Sequence, residues 1–222
     1  MRTLGGLETD AVEKYLLQAL KDVDSQVRCE ALRGLAGHCS PRLFSGLSLA
    51  LTDEIADVRR LATIAIGGFP AERSTPVLQH ALDDEDPWVR MEALRALSGD
   101  SEEVQEIIER GLADPVGLVV IAALEAAARL LQAAAAPILR DALEHDDLEV
   151  CSTAVQLLFD PSAAEELLNH PRSEVRLKAV QEYAKFIERP YLLMLERQLE
   201  KEADSQVRQA IETILRSSTA GI

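Results

Sequence analysis

The stretch Asp86-Pro87-Trp88-Val89-Arg90-Met91-Glu92-Ala93-Leu94-Arg95-Ala96-Leu97 has the features of an amphipathic helix and its start. Asp86 suits the N-cap position, because its carboxylate can accept hydrogen bonds from the free backbone N–H groups of the first turn. Pro87 then occupies the first helical position, where its missing N–H removes no hydrogen bond. Apolar residues three and four positions apart, beginning with Val89, lie on one face. The stretch therefore predicts a helix with one buried side.

This pattern occurs seven times along the chain. A valine stands at the equivalent position in each copy, at Val27, Val58, Val89, Val119, Val150, Val175 and Val207. The steps between these valines are 31, 31, 30, 31, 25 and 32 residues. A period of about 30 residues that holds two helical patterns is typical of an α-solenoid. One helical pair cannot bury its apolar face alone, so neighbouring pairs are expected to stack into a continuous core.

The repeat predicts an all-α fold, a right-handed α-solenoid of about seven helical hairpins. We expect residues 1–222 to form a single elongated domain. The predicted repeats cover residues 9–37, 41–67, 74–97, 101–131, 134–159, 162–184 and 188–216. The sixth repeat is short, which predicts a trimmed first helix. The segment 116–131 is unusually apolar, and we expect it either to be buried on more than one side or to be a place where something apolar docks.

The repeated residues resemble a known family. Most copies have a leucine seven residues before the valine, an arginine directly after it and an alanine four residues after it. An aspartate precedes the valine by three residues in four copies, at Asp24, Asp86, Asp147 and Asp204. This pattern resembles HEAT repeats, and its short period is most similar to phycobilisome-lyase (PBS lyase) HEAT-like repeats. The resemblance covers residues 9–216 and implies a fold rather than one activity, because this repeat type occurs in adaptors, bilin lyases, DNA glycosylases, deoxyhypusine hydroxylase and immunity-type proteins.

Composition narrows the function classes. The formal net charge is −15 and the pI about 4.7, which argues against general affinity for a nucleic-acid backbone. The three cysteines, Cys29, Cys39 and Cys151, form no CxxC motif, which is typical of a reducing compartment. The sequence shows no signal peptide and no apolar run long enough to span a membrane. We therefore expect a cytoplasmic monomer that binds neither nucleic acid nor a membrane.

Two columns of residues are candidates for partner binding. With each repeat valine counted as position 0, positions 2 and 6 are expected to face away from the core, on the concave surface of the solenoid. The predicted partner-binding residues are Arg33, Arg60, Ile64, Met91, Arg95 and Ile121. An apolar surface edged by guanidinium groups suits an acidic, amphipathic protein segment, since arginine forms forked bonds with carboxylates. The alternative is that these arginines pair with Glu30 and Glu92 and only solvate the face.

A third column, at position 1, is rich in arginine. In HEAT-like repeats an aspartate and an arginine form a ladder between units, so the resemblance implies a structural role for this column. The predicted ladder residues are Asp24, Arg28, Arg59, Asp86, Arg90, Arg176, Asp204 and Arg208. The acidic turns at 83–86 and 144–147 are expected to be solvated and favoured by the helix dipole rather than to bind a metal.

No residue set in the sequence predicts catalysis or a cofactor. The iron site of deoxyhypusine hydroxylase uses His-Glu pairs, whereas none of the four histidines here precedes a glutamate. A DNA glycosylase of this repeat type needs a basic cleft with aromatic residues, but the single tryptophan, Trp88, is expected to pack against the neighbouring turn. Cys39 follows His38, yet adjacent residues rarely point at each other, so this pair does not predict a nucleophile and its base.

The sequence therefore predicts a non-catalytic scaffold or adaptor that binds another protein on its concave face. The family resemblance leaves two alternatives open. One is a bilin lyase or chromophore-handling subunit, and the other is an immunity-type protein that masks a basic toxin.

Overall fold

All regular secondary structure in the described part of the chain is helical. The computed structural model describes residues 4–35, 37–159, 163–185 and 189–219. The chain divides into two compact units, Met1–Leu131 and Gln132–Ile222. The predicted all-α repeat-solenoid fold is confirmed, whereas the single elongated domain stays a prediction. Among the described residues, no helix reaches the length and hydropathy that a membrane span requires.

The described residues of the first unit form four helical hairpins. Its helices are α1 (Leu4–Ala19), α2 (Ser25–Leu35), α3 (Pro41–Ala50), α4 (Ala56–Ile66), α5 (Ala71–Ala81), α6 (Pro87–Ala96), α7 (Glu102–Leu112) and α8 (Gly117–Leu130). Each odd-numbered helix packs against the even-numbered helix that follows it, and α2, α4, α6 and α8 stack side by side in one layer. Ala62, Ala93 and Ala123 are fully buried in this layer, where their small side chains allow close packing.

In the second unit, three helical hairpins lie within the part of the chain that the structure describes. Its helices are α9 (Ala135–Asp141), α10 (Leu148–Leu158), α11 (Ala164–Leu168), α12 (Ser173–Tyr183), α13 (Arg189–Lys201) and α14 (Ser205–Thr219), with short 3-10 turns at Gln132–Ala134 and Ala142–Glu144. Helix α11 has only 5 residues, so the short sixth repeat does trim its first helix. The predicted starts of the sixth and seventh repeats, at 162 and 188, lie outside the described residues.

The repeat positions predicted for the core are buried. In the second repeat, Val58, Ala62, Thr63 and Ile66 occupy positions 0, 4, 5 and 8, and all four are buried. Val27 is exposed instead, because α2 is the first member of its layer and packs against α4 on one side only. The period of the sequence thus places the core correctly, except at the end of the layer.

The apolar segment 116–131 forms α8, which packs against both α6 and α7. Val119, Val120 and Leu124 are buried there. Of the two expectations for this segment, burial on more than one side is confirmed. Its hydrophobicity is accounted for by packing within the first unit.

The third repeat begins earlier than the sequence predicts. Ser74 was expected to start its first helix, but α5 begins at Ala71. Ser74 is buried, and its hydroxyl donates to the carbonyl oxygens of Phe69 and Pro70 at 3.4 and 3.3 Å. A serine can cap a helix or bond back to the preceding turn, and here the second arrangement occurs.

Candidate functional site

The second-helix face is the solvent-exposed surface of α2, α4, α6 and α8 in the first unit. Arg33, Ile64 and Arg95 lie exposed on this face, one on each of three successive helices. All three occupy position 6 of their repeats. Arg60 and Ile121, at position 2, are half-buried. The column at position 6 is therefore the one that the fold leaves open to solvent.

Met91 does not lie on the second-helix face. It is only 1% exposed, because α6 is packed between α4 and α8. Cys29 stands at the same repeat position and is also buried. The expectation that position 2 faces away from the core is wrong for Met91, which belongs to the core and is withdrawn from the partner-binding residues.

The three arginines predicted for partner binding each have an acidic neighbour. Arg33 pairs with Glu30 at 2.5 Å within α2. Ion pairs also connect successive helices: Arg60 lies 3.8 Å from Glu92, and Arg95 lies 3.5 Å from Glu125. Arg60 is also 3.5 Å from Asp57. The pairing considered from the sequence as the alternative is therefore present, and it neutralises the charge of these three arginines.

Two shallow depressions interrupt the second-helix face. One has a volume of about 410 Å³ and is lined by Ile64, Gly67, Glu92, Arg95, Ala96, Leu97, Ser98 and Arg129. Arg129 donates a hydrogen bond to the carbonyl oxygen of Leu97 at 2.8 Å, which fixes its guanidinium at the rim. The other has a volume of about 490 Å³ and is lined by Ile55, Ala56, Asp57, Arg60, Asp86 and Trp88. Both depressions are large enough to hold a few side chains of another molecule.

The exposure of Trp88 was not foreseen. Trp88 is 53% exposed, although it lines one depression with Ile55 and Ala56 of the neighbouring repeat, so packing there covers only part of its side chain. Its backbone is held in place, because the Asp86 carboxylate accepts from the Trp88 N–H at 2.8 Å. One sequence signal was available: Trp88 stands one residue before Val89 and therefore outside the core positions of the repeat.

Ile55 stands beside Trp88 in the same depression and occupies the N-cap position of α4. An isoleucine side chain cannot accept a hydrogen bond, and the structure shows no side-chain cap at this helix end. Replacing a capping side chain with an apolar one costs about 1 kcal/mol. Four other repeats have aspartate at this position. An exposed isoleucine is therefore present where capping alone would favour aspartate.

The position-1 arginines form a ladder, but with different acids from those predicted. The pairs are Arg28–Asp53 at 2.8 Å, Arg59–Asp84 at 2.7 Å, Arg90–Asp114 at 2.7 Å and Arg176–Glu202 at 2.7 Å. Asp24, Asp86 and Asp204 are instead N-caps, since their carboxylates accept from the backbone N–H groups of Gln26, Trp88 and Gln206. Each ladder acid stands two residues before the N-cap position of its repeat, which holds Ile55, Asp86, Val116 and Asp204. Asp53, Asp84, Asp114 and Glu202 are thus the residues that sequence reasoning missed.

Each ladder arginine also binds its own turn. Nη1 of Arg59 donates to the carbonyl oxygens of Asp53 and Glu54 at 2.9 and 3.3 Å. Arg208 makes equivalent bonds to the carbonyl oxygens of Leu199 and Glu202, both at 3.0 Å. One guanidinium therefore fixes a turn and, in four repeats, joins it to the acid of the following repeat. This bonding assigns the arginine column a structural role.

Burial and hydrogen bonding have opposite effects on the pKa values of the ladder acids Asp84 and Asp114. Burial raises the pKa of Asp84, but hydrogen bonds from Arg59 and from the Asp86 N–H outweigh it and hold that pKa below its usual range. The same balance holds the pKa of Asp114 low. These carboxylates stay ionised and paired, so they are not available as general acids near neutral pH.

In the second unit, His145 and His170 stand at two of the positions that ladder acids occupy in other repeats. Nδ1 of His145 accepts from the Asp147 N–H at 3.0 Å, and Nδ1 of His170 accepts from the Arg172 N–H at 3.3 Å. Cys151 stands where the fifth repeat would have its ladder arginine. Arg172 compensates by donating to the carbonyl oxygens of Leu143 and His145 at 2.9 and 2.8 Å.

The two roles of aspartate can be separated by mutation. Asp86→Ala removes an N-cap and is expected to lower the free energy of unfolding by about 1 kcal/mol. Asp84→Ala leaves Arg59 buried without its carboxylate and is expected to cost about 3 kcal/mol. Urea unfolding followed by far-UV circular dichroism measures both. Equal losses would contradict the assignment of Asp84 to the ladder and of Asp86 to the cap.

The cysteines show no sign of an activated nucleophile. Cys29 and Cys151 are buried, and burial raises the pKa of both thiols above the usual value. The exposed Cys39 donates to the carbonyl oxygen of Gly68 at 2.8 Å. A nucleophilic cysteine needs a lowered thiol pKa, which favours the reactive thiolate. The described residues also contain no group of His, Cys, Asp or Glu with the arrangement of a metal site.

Helical hairpins that stack side by side and are joined by a repeated arginine–acid ladder define a repeat solenoid. Residues 45–99 match the family model of HEAT repeats. Among solved structures, the complex of CpcE and CpcF of phycocyanin lyase from Nostoc sp. PCC7120 is similar, with 22% identity, a TM-score of 0.55 and coverage of 93% of this chain and 94% of that chain. The Escherichia coli protein YibA is similar with 14% identity, a TM-score of 0.54 and coverage of 97% and 98%. No curated protein sequence matches the chain.

Proposed function

We propose that this protein is a non-catalytic scaffold that binds another protein on the second-helix face of its first unit. The observation that supports it is the exposure of Ile55, Ile64 and Trp88 on successive helices of one surface. Buried tryptophan and arginine side chains supply most of the affinity at many protein interfaces. Repeat solenoids of this kind bind partners on the continuous surfaces that their stacked helices form.

The arginines of this face orient the partner in the proposed complex. Arg33, Arg60 and Arg95 are held by acidic neighbours, which fixes their planar guanidiniums beside the apolar residues. Guanidinium N–H groups outside these pairs can donate to carbonyl oxygens of the partner. We place the scaffold in the cytoplasm, because its three cysteines are free, and propose that it is a monomer.

The similarity to phycocyanin lyase has a limited role here. At 22% identity it shows the fold alone, so the bilin-lyase alternative is not proposed. That structure is nevertheless a complex between two proteins, which is the kind of assembly proposed here. No observation favours the immunity-type alternative over other protein partners.

The proposal is tested with the double variant Ile55→Asn/Ile64→Asn, used as bait in native cell extract beside the wild type. The variant is expected to recover about tenfold less of any protein that binds the second-helix face, because the affinity of an interface depends on its apolar anchor residues. Leu49→Asn/Leu193→Asn is the matched control, since both leucines are exposed on helices of the other layers. The control is expected to retain the partner. Loss with the control and retention with Ile55→Asn/Ile64→Asn would refute the assigned face.

A further inference from the structure

The depression at Trp88 is the most unusual part of the second-helix face. Its two apolar walls, Trp88 and Ile55, come from the N-terminal ends of adjacent helices, α6 and α4. Their exposed fractions are 53% and 38%, although large apolar side chains are normally buried. Neither side chain is needed to start its helix, because Asp86 caps α6 and Ile55 cannot cap α4. Both apolar groups are therefore free to contact another molecule.

The charge around this depression is strongly negative. Residues 53–60 and 83–92 contain eight acidic residues and three arginines. All three arginines are already paired: Arg59 with Asp84, Arg90 with Asp114, and Arg60 with Asp57 and Glu92. Asp53 and Asp83 pair with Arg28 and Arg110. Glu54, Asp57 and Glu85 each lie within 4 Å of an arginine, yet their side chains are 83%, 73% and 88% exposed. An approaching molecule therefore meets Ile55 and Trp88 beside Asp57, Asp86 and the paired Arg60, with Glu54 and Glu85 next to the lining residues in sequence.

We infer that the occupant of this depression is a basic segment of the partner protein, with an apolar side chain next to lysine or arginine. The apolar side chain enters between Ile55 and Trp88, and the cation lies over the Trp88 ring or beside the Asp57 and Glu85 carboxylates. The inference rests on the proposed function and specifies the partner's chemistry. It replaces the acidic partner expected from the arginine column, because those arginines are neutralised within the face itself. Complementary charge would speed association and select the partner.

Trp88 makes the inference directly measurable, because it is the only tryptophan in the chain. Two amphipathic probe peptides without tryptophan are compared, one of leucine and lysine and one of leucine and glutamate in the same pattern. The leucine–lysine peptide is expected to shift the Trp88 emission to shorter wavelength and to bind at least about tenfold more tightly than the other. Its binding is expected to weaken as salt is raised.

Variants locate the bound peptide, with a fluorescent label on the peptide as the readout. Trp88→Ser and the double variant Asp57→Asn/Glu85→Gln are each expected to weaken the leucine–lysine peptide about tenfold. Glu106→Gln/Glu109→Gln, on the exposed surface of α7, removes the same charge elsewhere and is expected to change little.

The inference is overturned if the two peptides bind alike, if neither binds, or if the α7 variant weakens binding as much as Asp57→Asn/Glu85→Gln. Tighter binding of the leucine–glutamate peptide, lost in Arg60→Glu/Arg95→Glu, would overturn it while keeping the second-helix face as the binding surface. The proposed function fails separately, when Ile55→Asn/Ile64→Asn retains its captured partner. The two experiments therefore distinguish a wrong partner chemistry from a wrong function.

Discussion

Arg59→Ala is expected to lower the free energy of unfolding of the first unit by about 3–5 kcal/mol, the cost of removing one partner of a buried ion pair. Arg59 donates to both carboxylate oxygens of Asp84, at 2.7 and 2.9 Å. It also donates to two carbonyl oxygens of the turn before α4. Its removal leaves a nearly buried carboxylate unpaired and releases the turn, so the loss exceeds that of an exposed ion pair.

Urea unfolding measures this effect, with Trp88 fluorescence as the probe of the first unit. The neighbouring residue supplies a matched control, because Arg60 is also an arginine of α4 but pairs with its acids at the surface. Arg60→Ala is expected to cost less than about 1 kcal/mol, as exposed ion pairs contribute little. Similar decreases in the free energy of unfolding for Arg59→Ala and Arg60→Ala would show that the ladder pair stabilises the first unit no more than a surface ion pair does.

The second large effect is expected on acidification of the second unit. Hydrogen bonds from Arg176 and from the Asp204 N–H lower the pKa of Glu202 from 4.5 to about 2. The unfolded chain binds this proton at higher pH than the folded chain does. The stabilisation is therefore complete above pH 4.5 and is lost as the pH falls from 4.5 to about 2. A pKa change of this size corresponds to about 3 kcal/mol.

Glu202→Gln tests this linkage, because glutamine does not titrate. The variant is expected to be less stable than wild type at pH 7 and to approach it as the pH falls toward 2. Hydrogen exchange of α12 and α14, with urea unfolding at each pH, provides the measurement. Glu200→Gln is the control, since Glu200 is exposed in the last turn of α13, two residues before Glu202. If the free energies of unfolding of Glu202→Gln and wild type differ by the same amount across this pH range, the result contradicts the lowered pKa of Glu202.

The candidate site was only partly predictable from the sequence. The column of Arg33, Ile64 and Arg95 was found because position 6 recurs with the repeat and points away from the core residues. Met91 was misplaced because burial at position 2 depends on how closely neighbouring helices approach. The pairing of Arg60 with Glu92 was recognised as an alternative, but the sequence did not decide between it and free arginines.

The ladder acids follow a pattern that is visible in the sequence. An acidic residue stands five residues before the valine in five of the seven repeats, at Asp22, Asp53, Asp84, Asp114 and Glu202. The family resemblance favoured the aspartates three residues before the valine instead, and Asp24, Asp86 and Asp204 are N-caps. Capping is local and can be inferred from one helix. The ladder joins different repeats, so its partners follow only from the distance between them.

The sequence by itself determined the helical hairpins, their caps, the short sixth repeat and the buried column of each second helix. These features follow from residue spacing, because helix periodicity and end-capping act over a few residues. The tertiary structure alone decided which acid meets each arginine, that Met91 is buried, and that Ile55 and Trp88 share one depression. Those outcomes depend on the packing of helices from different repeats, which brings distant residues into contact at distances that no local pattern specifies.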